Sequence, residues 1–110
     1  MINYNSAIPY IAGFYGEEHQ LIQLAEEAAE LAQAALKRHK ALTETTPADT
    51  MVATRKALAE EIADVLFMCE QIIYLEGCED RVREIIDTKI QRQIERIKGR
   101  DNDVALHNCR

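Results

Sequence analysis

The chain has 110 residues, a net charge of −6 and 47 % hydrophobic residues, enough apolar material for one small folded domain and too much for a disordered chain. Glycine and proline are scarce, Trp is absent, and Ala, Leu, Ile, Glu and Gln abound, which favours an aliphatic, helical protein over one built from strands. The acidic balance argues against nonspecific binding to nucleic acid, and no apolar stretch approaches the ~18 residues of a membrane span.

The first residues, "MINYNSAIPYIAGF", lack the basic start and long apolar run of a signal peptide, and a short helix is expected around Tyr4 to Ala12. After Gly13 and Gly16 a long helix begins near Glu17 and runs to about Lys40. Its apolar stripe comprises Leu21, Leu24, Ala25, Ala28, Leu31, Ala32, Ala35 and Leu36. "TETTPADT" breaks the pattern. Within it Thr46-Pro47-Ala48-Asp49 reads as a helix start, with Thr46 as N-cap, Pro47 at the first helical position and Asp49 at the third. The second long helix reaches about Glu76, with a break before Arg55 as an alternative, and Gly77 closes it as C-cap. A third runs from about Glu79 to Lys98, with Val82, Ile86, Ile90 and Ile97 inside and Gly99 as the stop. The tail from 99 to 110 is expected to be loosely ordered. Cys69, Cys78 and Cys109 are odd in number and lack metal-site spacing, as reduced thiols in a cytoplasmic protein would be.

These elements predict an all-α protein: one domain with its core at about 17–98, three long helices in an antiparallel bundle, and a short N-terminal segment. Apolar positions cover about half the circumference of the first long helix, more than the ~100° of an ordinary surface helix. Contacts on two sides are therefore expected, with the bundle completed by oligomerisation as a homodimer or homotetramer.

One helix carries a conflict. In "EEIADVLFMCEQI" (60–72), Ile62, Val65, Cys69 and Ile72, with Leu58 before them, mark a buried face. Glu61 falls inside that face and Asp64 at its edge. In "EEAAELAQAALK" (26–37), Glu27 and Glu30 stand in the same relation to their own stripe. Residues three apart are neighbours on a helix, so packing would bring the two acid pairs together. Four half-buried carboxylates repel one another and lose hydration; their pKa values rise, or a cation neutralises them. Oxygen ligands without Cys or His select Mg²⁺, with Mn²⁺ as a substitute. Glu26 and Glu60 read as surface acids, and a buried pair with Lys or Arg is the structural alternative for Glu61. A di-iron bundle would need Glu-x-x-His, and His19, His39 and His107 have no Glu three residues earlier. The basic run "KIQRQIERIKGR" (89–100) suits either a metal-bound phosphate ligand or complementation of a helix C-terminus.

Glu27-Ala-Ala-Glu30 followed by Glu61-Ile-Ala-Asp64, with the flanking "EL" and "DV", resembles the signature E-x-x-E…E-x-x-D of the MazG-like all-α nucleoside triphosphate pyrophosphohydrolases. The resemblance runs from about Gln20 to Arg96. The gap between the motifs is at the long end for that family, and the extra residues fall in "TETTPADT", suggesting a longer loop. The resemblance implies that Glu27, Glu30, Glu61 and Asp64 hold Mg²⁺, that Glu30 and Glu61 serve catalysis, and that a nucleoside triphosphate is cleaved between its α- and β-phosphates. By the same analogy Lys37, Lys89, Arg92 and Arg96 hold phosphates. Phe14, Tyr15, His19 and Gln20 line either a base pocket or the edge of the core. A phosphoribosyl-ATP pyrophosphohydrolase and a non-catalytic helical adaptor or regulator are the alternatives.

Overall fold

The computed structural model describes residues 4–108, with side chains described from residue 5 to 100. It is all-helical, with no strand among the described residues. α1 spans Tyr4–Tyr15, α2 Glu17–Thr43, α3 Ala48–Glu76 and α4 Glu79–Asn108. The chain divides into two compact units, Met1–Gly77 and Cys78–Arg110. No helix among the described residues is long and apolar enough to cross a membrane.

In the first unit the breaks between helices follow from local chemistry. Gly16 takes φ 84, a left-handed backbone that favours glycine, and Glu17 and Glu18 complement the positive end of α2. The connection between α2 and α3 is only residues 44–47, not the expected long loop, because α2 runs on to Thr43 and α3 begins at Ala48. Thr46 does not cap α3. Its hydroxyl donates back to the Ala41 carbonyl at 3.0 Å, and Pro47, with φ −57, stands at the cap position. α3 is continuous through Arg55 and ends on Gly77, whose φ of 62 and ψ of 35 let its N–H reach back to the last carbonyls.

α2 and α3 pack antiparallel, as their paired residues show: Gln20 meets Gln71, and the Arg38 guanidinium donates to the Met51 carbonyl at 2.8 Å. α1 lies against both. The buried residues are Ala12, Ala34, Ala41, Met68, Gln20 and Gln71, with Leu24, Leu31, Leu58, Val65, Cys69 and Ile72 half-buried. The buried face is thus narrow, with two alanines on α2, Met68 on α3 and a glutamine from each helix. The other side of the α2 apolar arc, including Leu21, Ala25, Ala28, Ala32, Ala35 and Leu36, is exposed.

The second unit is α4. The helix passes through Gly99 and continues to Asn108, so the expected stop at Gly99 gives way to helix, while Cys109 and Arg110 lie outside the described residues. The reason is conformational: a helix-interior glycine costs about 1 kcal/mol, too little to end a helix unless it turns left-handed, and Gly99 is not among the glycines with positive φ. Val82 is half-buried, while Ile86, Ile90 and Ile97, expected inside, are exposed.

The two glycines should respond oppositely to alanine. A Cβ at residue 77 meets nothing within 4 Å, so Gly77→Ala carries only the left-handed backbone penalty and should destabilise by about 1–2 kcal/mol. Gly99→Ala should stabilise by about 0.5–1 kcal/mol. Urea denaturation of both variants reads the signs; a stabilised Gly77→Ala would contradict the observed end of α3.

Candidate metal centre

The two acid pairs meet on the α2–α3 contact face. Glu61 and Asp64, one turn apart on α3, face Glu27 on α2, and each offers a carboxylate oxygen such that all three lie within 4.8 Å of one another. Their register follows from the helices themselves. Gln20, Glu27, Ala34 and Ala41 are spaced by seven and share one face of α2, so burying Ala34 and Ala41 turns Glu27 inward. On α3 the same logic aligns Glu61 with Met68 and Asp64 with Gln71.

Glu27 and Glu61 are half-buried and Asp64 is exposed. One oxygen of each half-buried acid, Glu27 Oε2 and Glu61 Oε2, is sealed from solvent and has no hydrogen-bond partner. Burial pushes the Glu27 carboxyl above its ordinary range, and the negative charges of Glu30 and Asp64 push it further. Glu61 is raised by the same causes in the same order. Among the described residues none of the four acids belongs to an ion pair; the two ion pairs present, Arg81–Glu84 and Arg83–Glu79, are on α4. The alternative of Glu61 as half of a buried pair with Lys or Arg is therefore not what the fold contains. Sealed, unpartnered carboxylate oxygens crowded with like charge, without His or Cys, fit a hard divalent cation of the Mg²⁺ or Mn²⁺ class.

Glu30 is exposed and stands beside this triad. With Glu61 and Lys37 it lines an open cleft of about 330 Å³ between α2 and α3. Ala34, Ala53 and Ala57 line the same cleft, and their small side chains leave its volume open. These alanines carry no sequence signal beyond their helical spacing. Glu26 and Glu60 are exposed, as expected.

In the second unit, Lys89 and Arg92 line a shallow surface cleft of about 350 Å³ on α4, together with Arg81, Glu84, Ile85 and Thr88. Arg96 is exposed one turn further on.

Gln20 is buried. Its Nε2 donates to Gln71 Oε1 at 2.6 Å, and its Oε1 lies 2.7 Å from His19 Nδ1. His19 stacks on Tyr15 with ring centres 5.1 Å apart and planes 19° apart, and Phe14 meets Tyr15 edge-on at 5.0 Å. Two features were not read from the sequence. Gln71 is one, since its partner is 51 residues away. The other is the carboxyl pair Glu17 and Glu76, where the neighbouring Glu76 carboxyl, then burial, raise Glu17; Glu17 Oε1 is, like the oxygens of Glu27 and Glu61, sealed without a hydrogen-bond partner.

No protein-family model matches the chain, and neither curated proteins nor solved structures give a match.

The raised carboxyls set a sign for stability. Glu61 binds its proton more tightly folded than unfolded, so its favourable contribution is full below the ordinary value of 4.5 and is lost as pH rises through the raised folded value. Glu61→Gln removes that charge while keeping the shape. In chelator at about pH 8 the variant should melt at or above the wild-type temperature, and its advantage should shrink toward about pH 5. Added Mg²⁺ should raise the melting temperature of the wild type more than that of the variant. A variant strongly destabilised in chelator at neutral pH would instead make Glu61 a structural acid.

Proposed function

We propose that the chain is a Mg²⁺-dependent nucleoside triphosphate pyrophosphohydrolase, releasing a nucleoside monophosphate and pyrophosphate. The observation that carries this reading is the carboxylate triad of Glu27, Glu61 and Asp64, with two sealed oxygens that have no partner and no cation from the protein. The motif resemblance to the MazG-like enzymes agrees with it. A divalent cation held by Glu27, Glu61 and Asp64, with Glu30 beside them, supplies charge neutralisation and Lewis acidity toward phosphate oxygens and water.

The chain's own residues supply the rest. Glu30 and Glu61 flank the cleft, so either carboxylate is placed to accept the proton of a water that attacks the α-phosphorus. Glu30 is the preferred base, because its exposure leaves it free to reach that water. The bond from the α-phosphorus to the bridging oxygen breaks, and pyrophosphate departs with that oxygen and its electron pair. Lys37, in the same cleft, is the cation for the departing phosphates.

The exposed side of α2 and the isoleucine stripe of α4 support an oligomer, a homodimer or homotetramer, in which these faces become core. Leu36 is 71 % exposed and Ile97 57 %, and monomers rarely leave such stripes uncovered. Free Cys69 and Cys78 suit a reducing cytoplasm.

Purified protein incubated with the common nucleoside triphosphates and phosphoribosyl-ATP should release pyrophosphate with Mg²⁺ and not in chelator. Glu27→Gln and Glu61→Gln should each lower turnover by at least about 100-fold, and Lys37→Ala should chiefly raise KM. Pyrophosphate release unchanged by chelator would overturn the metal assignment. Absence of release with every nucleotide, from folded protein that still binds Mg²⁺, would favour a non-catalytic adaptor. Light scattering at micromolar concentration should report at least a dimer, and a monomer would remove the shared-core reading.

A further inference from the structure

The polar pair Gln20–Gln71 is the most deeply buried polar feature of the first unit, at 4 % and 0 % exposure, and it is directional. Gln71 Nε2 donates to the Phe67 carbonyl at 3.4 Å, one turn back on α3, and to Met68 Sδ at 3.6 Å. That orientation turns Gln71 Oε1 toward α2, where it accepts from Gln20 Nε2 at 2.6 Å. Gln20 Oε1 is then turned toward His19 Nδ1, 2.7 Å away. An amide oxygen only accepts, so the hydrogen of this contact sits on Nδ1. Neutral His19 is thereby fixed as the Nδ1–H tautomer, with an acceptor lone pair on Nε2 at an exposed ring. Tyr15, stacked on that ring, holds its plane.

A pair of buried glutamines is a roundabout way to join two helices, since two leucines of similar shape would do so without desolvating amides. The relay does something leucines cannot: it transmits the orientation of the Gln71 amide to an exposed imidazole. His19 precedes Glu30 by eleven residues, which returns it to the same face of α2, about 16 Å along the axis. Lys37 lies beyond Glu30 in the opposite direction. A nucleotide with its phosphates at Glu30 and Lys37 would thus direct its base toward His19.

We infer that Gln71 and Gln20 are positioning residues that fix the His19 tautomer, and that His19 Nε2 is the specificity-determining acceptor for an N–H on the edge of the ligand's base. This rests on the nucleotide reading proposed above.

Two variants test it. Gln20→Leu/Gln71→Leu deletes the relay while replacing both partners with apolar groups of similar shape, which is close to neutral for stability. His19→Phe keeps a flat ring and removes the acceptor, at an exposed position that leaves the fold intact. Nitrogen NMR of the imidazole should report the Nδ1–H tautomer in the wild type and its loss in the double variant. Binding is then measured with Mg²⁺ for the four common nucleoside 5′-monophosphates, for the tightest of them with its base-edge nitrogens fully methylated, and for pyrophosphate.

Methylation should weaken wild-type binding by about tenfold and change binding to His19→Phe by less than about twofold. Pyrophosphate should bind all three proteins alike. Equal wild-type affinity for the methylated and unmethylated nucleotides overturns the inference, as does a double variant that keeps the Nδ1–H tautomer. If wild-type protein binds neither pyrophosphate nor nucleotide with Mg²⁺, the nucleotide reading falls first and this inference with it.

Discussion

The molecule's chemistry depends on one constraint: the face through which α2 and α3 pack is the face that carries the acids. Helical periodicity leaves no freedom in this. The turn that buries Ala34 and Ala41 also buries the side of Glu27, and the turn that buries Met68 brings in Glu61. Sliding the helices to separate the carboxylates would break the Gln20–Gln71 bond and the Arg38 contact with the Met51 carbonyl. The two ends of the pair therefore hold the centre in a state that like-charge repulsion and lost hydration oppose. Cation binding would remove that opposition, coupling ligand occupancy to the stability of the helix pair.

The core at this contact is small. Where α2 and α3 touch, the buried residues are Gln20, Ala34 and Ala41 on α2 and Met68 and Gln71 on α3, with no leucine among them. At this contact carboxylate oxygens of a glutamate of α2 and of a glutamate and an aspartate of α3 come within 4.8 Å of one another. That core leaves little apolar burial inside the first unit. Large aliphatic groups sit instead on the outer side of α2 and along α4. Exposed aliphatic stripes of this extent are the observation behind the proposed assembly.

Much of this was legible in residues whose signal is local. Glu61 betrayed the site because a carboxylate inside a period of 3.6 conflicts with burial. Gly77 and the Gly16–Glu17 junction marked helix ends because left-handed glycine and first-turn acids have direct local causes. The misread features have competing or distant causes. Thr46 has the right chemistry for an N-cap, yet its hydroxyl finds the Ala41 carbonyl first. Gly99 looks like a stop, but nothing turns it left-handed. The α2 stripe was read as one broad apolar arc, whereas its inward centre is the seven-spaced row of Gln20, Glu27, Ala34 and Ala41, half of it polar. Gln71 was invisible, because a polar residue gains meaning only from a partner on another helix. The cleft that Lys37 and Glu30 share had no local signal either, because Ala53, Thr54 and Ala57 of the other helix complete it.

That seven-spaced row also gives the helix pair a direction. At one end the buried amides connect to an exposed, stacked histidine. At the centre sit carboxylates that lack any cation from the protein. Beyond them the alanines open a cleft edged by Lys37, and then Arg38 closes the row on the backbone of α3. His19, Glu30 and Lys37 thus follow one another along the exposed face beside that row. A ligand matched to that order has a hydrogen-bonding ring at one end, a polyanion at the other, and a divalent cation at the junction between them. A free polyphosphate would use the centre and the cation but leave the histidine idle, and a neutral aromatic would do the reverse. The order of groups, more than any single residue, is what favours a nucleotide.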